Sequence, residues 1–250
     1  MALRRDFTKY INYVFDNLFP PVLRDSRLFL FFFLYPFFGR KTRYFAEFKE
    51  RAPFFSGEEL RDYYSRLEDS HLKRPTDLNR KSLSYILNNI SGESVLDIAC
   101  GRGYLVSLLA DKYPGKNIYG IDIIAPEISA KPDNLHITCG DIENIDFPDN
   151  YFDTVICAHT LEHTQNFDKA LRELRRVCRS RLIIVVPRQR EYKYTFDLHL
   201  HFFPYLSSLK RVIKNPGADY RVIGNDLVCT EINPGLSVFC RAGLPGKILS

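Results

Sequence analysis

The stretch Ser94-Val-Leu-Asp-Ile-Ala-Cys-Gly-Arg-Gly-Tyr104 decides the fold of this chain. Its first part is an apolar strand that carries one carboxylate, Asp97, near its carboxyl end. A turn with glycines at positions 101 and 103 follows, and the apolar run after Tyr104 predicts a helix. Glycine permits positive φ angles and close approach to a ligand, and a helix amino terminus presents free N–H groups. The stretch therefore predicts a strand–loop–helix unit that binds a small polar ligand.

Downstream of residue 94, strands and helices alternate. The segments that predict strands are 95–98, 117–122, 135–139, 152–157 and 182–186. This alternation predicts an α/β fold with a Rossmann-like, open, mostly parallel sheet and helices on both faces. A closing antiparallel hairpin is predicted from 220–223, 228–232 and 236–240. The fold class that we predict has seven strands, with the last antiparallel. Ligands of such sheets lie at the carboxyl ends of the strands, here marked by Asp97, Asp122, Asp141 and the residues after Cys157.

The bulk composition is that of a globular protein, with 250 residues, 45% hydrophobic and 26% charged. Six scattered cysteines without a CxxC pair indicate reduced thiols and a cytoplasmic location. The net charge of +5 lies mostly between residues 20 and 46, so the rest of the chain is close to neutral, which argues against nucleic-acid binding. Arg4-Arg5 resembles a twin-arginine export signal, but the polar residues that follow within 10–17 exclude one.

The first 55 residues hold 17 of the 35 aromatic residues. Their centre is an eleven-residue apolar run, 28–38, which Pro36 is expected to break and which is too short to span a bilayer. One interpretation is a peripheral membrane contact through residues 24–43, because basic residues flank the run: Arg24, Arg27, Arg40, Lys41 and Arg43. The other, which we favour from the shortness of the run, is a buried helix, a lid on the main domain or a subunit interface.

Residues 56–92 predict two helices, the first capped by Ser56 and the second ending at Gly92. We predict a helical, aromatic-rich extension over residues 1–80 and a ligand-binding domain over residues 81–250. Four residues could cover a bound ligand, although ordinary packing explains them equally well: Tyr63, Tyr64, Arg74 and Asn79.

Three ligand classes use a glycine turn in front of a helix. A P-loop is excluded because Tyr104-Leu105 stands where its Lys-Ser/Thr pair is needed, and a dinucleotide site fits poorly because Val106 replaces the third glycine. The remaining pattern, Asp97-Ile-Ala-Cys-Gly-Arg-Gly103, resembles motif I of the class I S-adenosylmethionine-dependent methyltransferases. Ala99 stands where many members of that family have glycine.

Further segments in register strengthen the resemblance, which runs from about residue 84 to 213. Asp122 matches the acid that holds both ribose hydroxyls, and the segment 140–142 matches the one that meets the adenine. The segments 148–153, 161–163 and 201–204 are similar to the type 11 methyltransferase subgroup. The resemblance implies an enzyme that uses S-adenosylmethionine, with cofactor contacts from Asp97, Ala99, Cys100, Gly101, Gly103, Asp122, Ile123, Asp141, Ile142 and Ala158.

A competing motif lies after the fourth strand. His159-Thr-Leu-Glu-His163 fits H-x-x-E-H, in which two histidines bind zinc and the glutamate is the base of a peptidase. That signature requires a long helix and a third ligand, whereas this segment follows directly on a buried strand. The sequence therefore predicts no metal site.

The implied reaction is methyl transfer to a small-molecule, sugar or lipid-linked acceptor, with O-methylation as the expected chemistry. An oxygen nucleophile calls for a base. We prefer His159 and His201 because both fall in loops at the predicted carboxyl edge, over His163, His199 and Glu162. The lack of an Asn/Asp-Pro-Pro-Tyr motif argues against methylation of nucleic-acid bases. Two other classes stay open: a catalytically silent binding module of the same fold, and an NAD(P)-dependent oxidoreductase.

Overall fold

A computed structural model of the chain describes residues 20–67, 76–128, 131–191, 193–194 and 197–234. The predictions for residues 4–17, Arg74 and the strand at 236–240 lie outside the described residues. The described α-helices are α1 (Pro21–Arg24), α2 (Arg27–Phe38), α3 (Thr42–Arg51), α4 (Gly57–Leu67), α5 (Arg80–Asn88), α6 (Tyr104–Lys112), α7 (Phe167–Val177) and α8 (Leu206–Ile213). The strands are β1 (Ser94–Ile98), β2 (Asn117–Asp122), β3 (Leu135–Cys139), β4 (Phe152–Ala158), β5 (Cys178–Pro187), β6 (Asp219–Ile223) and β7 (Asp226–Ile232).

The seven described strands form one sheet in the order β3-β2-β1-β4-β5-β7-β6. Strands β1 to β5 pair in parallel, while β7 runs antiparallel to both of its neighbours, β5 and β6. The predicted fold class is therefore confirmed. Strand order reverses between β1 and β4, which leaves a crevice at the carboxyl edge of the sheet between them.

Two apolar layers cover the sheet because successive strand residues point to opposite faces. Leu96 and Val155 pack with α7 and α8 on one face. Val95 and Ile156 pack with α5 and α6 on the other. Both strands are apolar at consecutive positions because each of their faces is covered by helices.

A third apolar cluster holds the amino-terminal helices α2, α3 and α4 together and includes Phe45, Phe48 and Leu67. Leu198, from the loop after β5, joins the same cluster. Gln165 also donates its amide to the carbonyl oxygens of Ala52 and Phe55, at 2.6 and 2.7 Å. These helices, which we call the cap (residues 27–67), therefore pack directly on the loops at the carboxyl edge of the sheet.

Helix α2 of the cap contradicts the prediction of a break at Pro36 and shows which residues of the apolar run 28–38 are exposed. The expected break at Pro36 is wrong: α2 continues to Phe38 because a proline this near the helix end removes only one hydrogen bond. Leu30 and Leu34 of α2 are buried in the cap, whereas Leu28 and Phe32 are 85% and 83% exposed. Among the described helices, none combines the length and apolar character needed to cross a bilayer.

A buried ion pair ties α7 to the antiparallel part of the sheet. Arg175 donates from Nε and Nη2 to the two oxygens of the fully buried Glu231 carboxylate, at 2.9 and 2.6 Å. The same guanidinium donates to the carbonyl oxygen of Ile213 at the end of α8, at 2.8 Å. One side chain thus connects α7, α8 and β7.

We expect Arg175→Met to lower the free energy of unfolding by about 3–5 kcal/mol, because it leaves the Glu231 charge buried without a partner. Urea denaturation at neutral pH measures the loss. Arg172→Met, on the exposed side of the same helix, is the matched control and should change the value by less than about 0.5 kcal/mol. Equal effects of the two substitutions would show that the ion pair does not stabilise the fold.

Candidate active site at the carboxyl edge of the sheet

Strands β1, β2 and β4 end at the same edge of the sheet. Their register pairs Ile98 of β1 with Ile121 of β2 and with Cys157 of β4. The turn 99–103 follows Ile98, Asp122 follows Ile121, and His159 follows Cys157 after one residue, Ala158. Three groups that are distant in sequence therefore meet at one crevice.

The turn after β1 is built from left-handed residues. Ala99, Gly101 and Gly103 have φ angles of 56°, 56° and 77°. Glycine is favoured at 103 because residues with a Cβ rarely adopt this φ angle, and a Cβ atom there would also lie 2.7 Å from Cδ1 of Ile128. At 101 a side chain would meet nothing within 4 Å, so this part of the turn faces open space. Alanine at 99 adopts a conformation that costs about 1–2 kcal/mol for a residue with a Cβ.

Asp122 joins the turn to the end of β2. Its Oδ2 accepts the amide of Gly101 at 2.7 Å, and its Oδ1 accepts the amide of Ile124 at 3.0 Å. Burial raises the pKa of Asp122, and the backbone N–H groups of Ile124, Gly101 and Ile123 act in the opposite direction. Each oxygen retains an acceptor position, so the carboxylate can receive the two hydroxyls of a diol.

Asp97 lies behind the turn with only 3% of its surface exposed. Within the described part of the chain no donor bonds to its carboxylate. Burial and the nearby negative charge of Asp122 both raise the pKa of Asp97, burial being the larger cause. A positively charged ligand would relieve both effects, because it supplies the missing partner and neutralises the repulsion.

The other predicted contact residues lie around this crevice. Asp141 is exposed after β3, and its Oδ1 accepts the amide of Glu143 at 2.8 Å. Ile142 is partly buried against the apolar cluster on the sheet face that α7 and α8 cover. Ala158 is the last residue of β4. Ile123 follows Asp122, and its carbonyl oxygen accepts the Cys139 thiol at 3.3 Å. The thiols of the described cysteines are free, and Cys100 is buried beneath the turn.

His159 begins the loop after β4 in a left-handed conformation, with φ at 55°. Its Nδ1 lies 3.6 Å from Glu162 and its Nε2 lies 3.5 Å from Asp226, with the side chain 15% exposed. Burial disfavours the imidazolium, but Asp226 and Glu162 outweigh burial and raise the pKa of His159. Asp226 is oriented in turn by the amide of Asn79, which donates to its other oxygen at 2.5 Å.

Glu162 is fully buried, and neither of its carboxylate oxygens has a hydrogen-bond partner among the residues that the structure describes. Burial raises the pKa of Glu162 to about 7, against the opposing effect of His159. Burial, followed by the charges of Glu162 and Asp97, also raises the pKa of the Cys157 thiol. Glu162 belongs to the short turn Leu161–His163 after β4, which places it beside the crevice.

The preferred histidine pair does not form a unit in the structure. His201 donates from Nε2 to the carbonyl oxygen of Thr164 at 2.9 Å and packs on the ring of Phe167. Burial lowers the pKa of His201. His159 instead pairs with carboxylates, as described above, so the two histidines have different environments, and a catalytic role for His201 stays a prediction.

The cap contributes one polar group to the site. The Tyr64 hydroxyl is buried without a hydrogen-bond partner, and its ring packs edge-on against that of His163, with centroids 6.5 Å apart. Burial is the largest cause that raises the pKa of Tyr64, followed by the charges of Glu162 and Asp122. Tyr63 and Asn79 are explained by structure: Tyr63 bonds to the Tyr44 carbonyl, and Asn79 caps α5.

The sequence reasoning missed Asp226 and ranked Glu162 low. Asp226 lies 67 positions after His159 and reaches it only because the antiparallel strand β7 is inserted between β5 and β6. No local signal in the sequence could have found it. Glu162 could have been found from the motif at 159–163, because it is the only acid between Ala158 and Phe167.

Comparison with known proteins identifies the domain. Residues 96–186 match the family model described as "Methyltransferase domain". Demethylmenaquinone methyltransferase of Thermotoga maritima is 31% identical over 42% of this chain and 48% of its own length. A ubiquinone/menaquinone biosynthesis C-methyltransferase of Cupriavidus pinatubonensis is 30% identical over 54% of this chain and 60% of its own length. The chain thus spans about half to three-fifths of these curated relatives.

Two solved structures share the fold at low identity. The 1,6-didemethyltoxoflavin-N1-methyltransferase of Burkholderia thailandensis, with bound 1,6-didemethyltoxoflavin and S-adenosylhomocysteine, has a TM-score of 0.59 and 17% identity, over 72% of this chain and 92% of that one. The magnesium protoporphyrin IX methyltransferase of Synechocystis, with bound S-adenosylhomocysteine, has a TM-score of 0.52 and 16% identity, over 71% and 100%. At such identities the likeness concerns the fold alone.

Proposed function

We propose that this protein uses S-adenosylmethionine to methylate a hydroxyl group of a small-molecule acceptor, because residues 96–186 match the methyltransferase family model. One observation carries the proposal. The open turn at Gly101 lies between two carboxylates, one that can accept a diol and one that is buried and receives no donor from the described residues. A nucleoside with a positively charged substituent satisfies both.

The residues of the crevice fit this cofactor, which supplies an activated methyl group on a positive sulfonium. Asp122 would hold the ribose hydroxyls, since both of its oxygens can accept a further hydrogen bond. Asp97 would face the positive charge of the methionine portion. The open side of Gly101 leaves room for the ligand against the backbone. Positioning is the main task of such a site, because the methyl group is already reactive.

His159 is the residue that we propose as the base. The loop after β4 places it next to the crevice, and Asp226 stabilises the imidazolium that forms when the ring takes a proton. A pKa raised above the ordinary value of histidine suits proton uptake near neutral pH. Glu162, on the Nδ1 side of the ring, orients it further.

The acceptor is proposed to be a small amphipathic molecule. Two of the relatives are named for quinone biosynthesis, and a structural neighbour holds a small heterocycle. The cap is apolar and lies over the loops that carry the site, as a cover for such a molecule requires. This support concerns the size and polarity of the acceptor, not its identity.

Substitution of Asp122 tests the cofactor site. We expect Asp122→Ala to weaken S-adenosylmethionine binding by about 100-fold, because two hydrogen bonds to a charged acceptor are lost. Isothermal titration calorimetry measures the dissociation constants. Asp146→Ala, in an exposed loop, is the control and should bind like the wild type. No binding by the wild type would refute the cofactor assignment.

Substitution of His159 tests the reaction. Labelled methyl groups from S-adenosylmethionine should enter the small-molecule or lipid fraction of a cell extract when wild-type protein is added. We expect His159→Gln to slow this transfer by about 100-fold or more while cofactor binding is unchanged. His136→Gln, at an exposed position of β3, should transfer like the wild type. Cofactor binding without transfer would instead identify a silent binding module.

We also propose that the exposed face of α2 contacts an anionic membrane, from which an amphipathic acceptor could reach the site. Leu28, Phe32 and Tyr35 are exposed at i, i+4 and i+7 of α2, so they form one stripe. Arg27 and Arg43, near this stripe, share the single acid Glu47 with Arg51, which leaves a positive excess. Apolar side chains beside a positive excess match the surface of an anionic bilayer.

Flotation with vesicles tests this contact. We expect the wild type to float with vesicles that contain phosphatidylserine, and Leu28→Ser/Phe32→Ser to lower the partition coefficient by about 100-fold through lost apolar burial. Val222→Ser removes an exposed apolar side chain on the edge strand β6 and serves as the control. Wild-type protein that stays at the bottom of the gradient, with or without anionic lipid, would refute the contact.

A further inference from the structure

Three side chains beside the proposed base form a cluster that methyl transfer as described above does not require. Glu162, His163 and His199 each offer one ligand atom, and the three atoms lie within 4.8 Å of one another. Glu162 and His163 belong to the short turn Leu161–His163 after β4, and His199 comes from the loop after β5. Two loops at the carboxyl edge therefore converge on one point.

The carboxylate of this cluster accepts no hydrogen bond from the described residues, although the imidazole of His159 lies 3.6 Å from it. Both oxygens of Glu162 are buried without a hydrogen bond, and so is the hydroxyl of Tyr64 above them in the cap. Leaving such groups unsatisfied in the interior is costly, and native proteins pair them almost always. The oxygen atoms of Glu162 and Tyr64 are therefore available to bind a cation.

The two imidazole rings are held in the orientation typical of metal ligands. His163 donates from Nδ1 to the carbonyl oxygen of Leu198 at 2.9 Å. His199 donates from Nδ1 to Oε1 of Gln189 at 2.6 Å, and Gln189 is itself oriented by its bond to Asp197 at 2.9 Å. Because carbonyl oxygens only accept, each neutral ring carries its lone pair on Nε2. Metal-binding histidines show this pattern, in which the second nitrogen donates to an oxygen of the protein.

We propose that Glu162, His163 and His199 bind a divalent transition-metal ion. Two imidazoles and one carboxylate suit Zn²⁺ and its neighbours in the first row, and three protein ligands leave a position open for another oxygen. The ligand atoms, which now lie within 4.8 Å of one another, would have to approach by up to about 1.5 Å to share a tetrahedral ion. Ion binding would give the buried carboxylate of Glu162 a direct bond, in addition to the imidazole of His159 that lies 3.6 Å away.

This site differs from the peptidase signature that the sequence excluded. In that signature both histidines of H-x-x-E-H are ligands and the glutamate is the base. Here His159 faces Asp226, the glutamate is a ligand, and the third ligand lies 36 positions after His163. The proposal departs from the sequence-based expectation of a chain without metal.

If the proposed function is correct, the open coordination position of the ion could bind a hydroxyl group of the acceptor. A hydroxyl of the acceptor that occupies it would be oriented and made more acidic by the ion. Its proton would pass to His159, which lies 3.6 Å from Glu162. The oxygen would then form its bond to the methyl carbon as the carbon–sulfur bond breaks and sulfur keeps the electron pair.

Direct metal binding tests the site without any assay of activity. The full chain is stripped with EDTA, dialysed, and titrated with Zn²⁺ against a chromophoric chelator. We expect one equivalent to bind, and Glu162→Gln, His163→Gln and His199→Gln each to weaken binding by about 100-fold or more. His136→Gln, which replaces an exposed histidine of β3, should bind like the wild type. Circular dichroism of the metal-free variants checks that they fold.

Cobalt supplies a second measurement that does not depend on affinity. Co²⁺ in the wild-type site should show visible d–d bands whose intensity is typical of four- or five-coordination, and the three ligand variants should lose them. Binding that is absent, or that the ligand variants retain to the same degree as His136→Gln, would overturn the proposal.

The two proposals can fail separately. Cofactor binding and methyl transfer that persist in EDTA, without a Zn²⁺ equivalent, would overturn the metal site and leave the methyltransferase function intact. One tightly bound Zn²⁺ that is lost in the ligand variants, without methyl transfer to any fraction, would support the metal site and refute the proposed function.

Discussion

The amide of Gly101 donates to the carboxylate of Asp122 across the gap between β1 and β2, and the crevice depends on this bond. It requires a left-handed turn directly after β1 and an acid at the end of β2, in two strands whose parallel register brings these ends together. Three other parts of the site lie at the same carboxyl edge of the sheet: the open side of the turn, the buried Asp97 behind it, and the loop after β4. A shift of register by one residue would turn Asp122 to the other face of the sheet.

Buried charge is the second constraint on this edge. Asp97, Glu162 and Asp226 are all buried within a few residues of strand ends, where they would repel one another without positive partners. His159 lies between two of them and receives its raised pKa from this arrangement. The fold thus keeps buried carboxyl groups together at the edge where we propose that positively charged ligands, a sulfonium and a metal ion, bind.

The cap links this chemistry to a surface. Helix α2 buries Leu30 and Leu34 and exposes Leu28 and Phe32, because its apolar residues occupy both sides of the helix. Helix α4 of the same unit carries Tyr64 to the cluster around Glu162. The cap therefore carries both the apolar surface of the proposed membrane contact and a buried polar group beside the proposed site. The two features belong to one packed helical unit.

The sequence by itself determined the sheet and the turn, because these depend on local signals. An apolar strand followed by glycines predicts the left-handed turn at 99–103, and Asp122 follows from the next strand of the alternation. The tertiary structure alone decided the surroundings of His159. Asp226 reaches it through the insertion of β7, and His199 meets Glu162 through a loop folded under the cap. These contacts join residues more than 35 positions apart, and no periodicity or propensity records such pairings, since they arise only when separate elements pack.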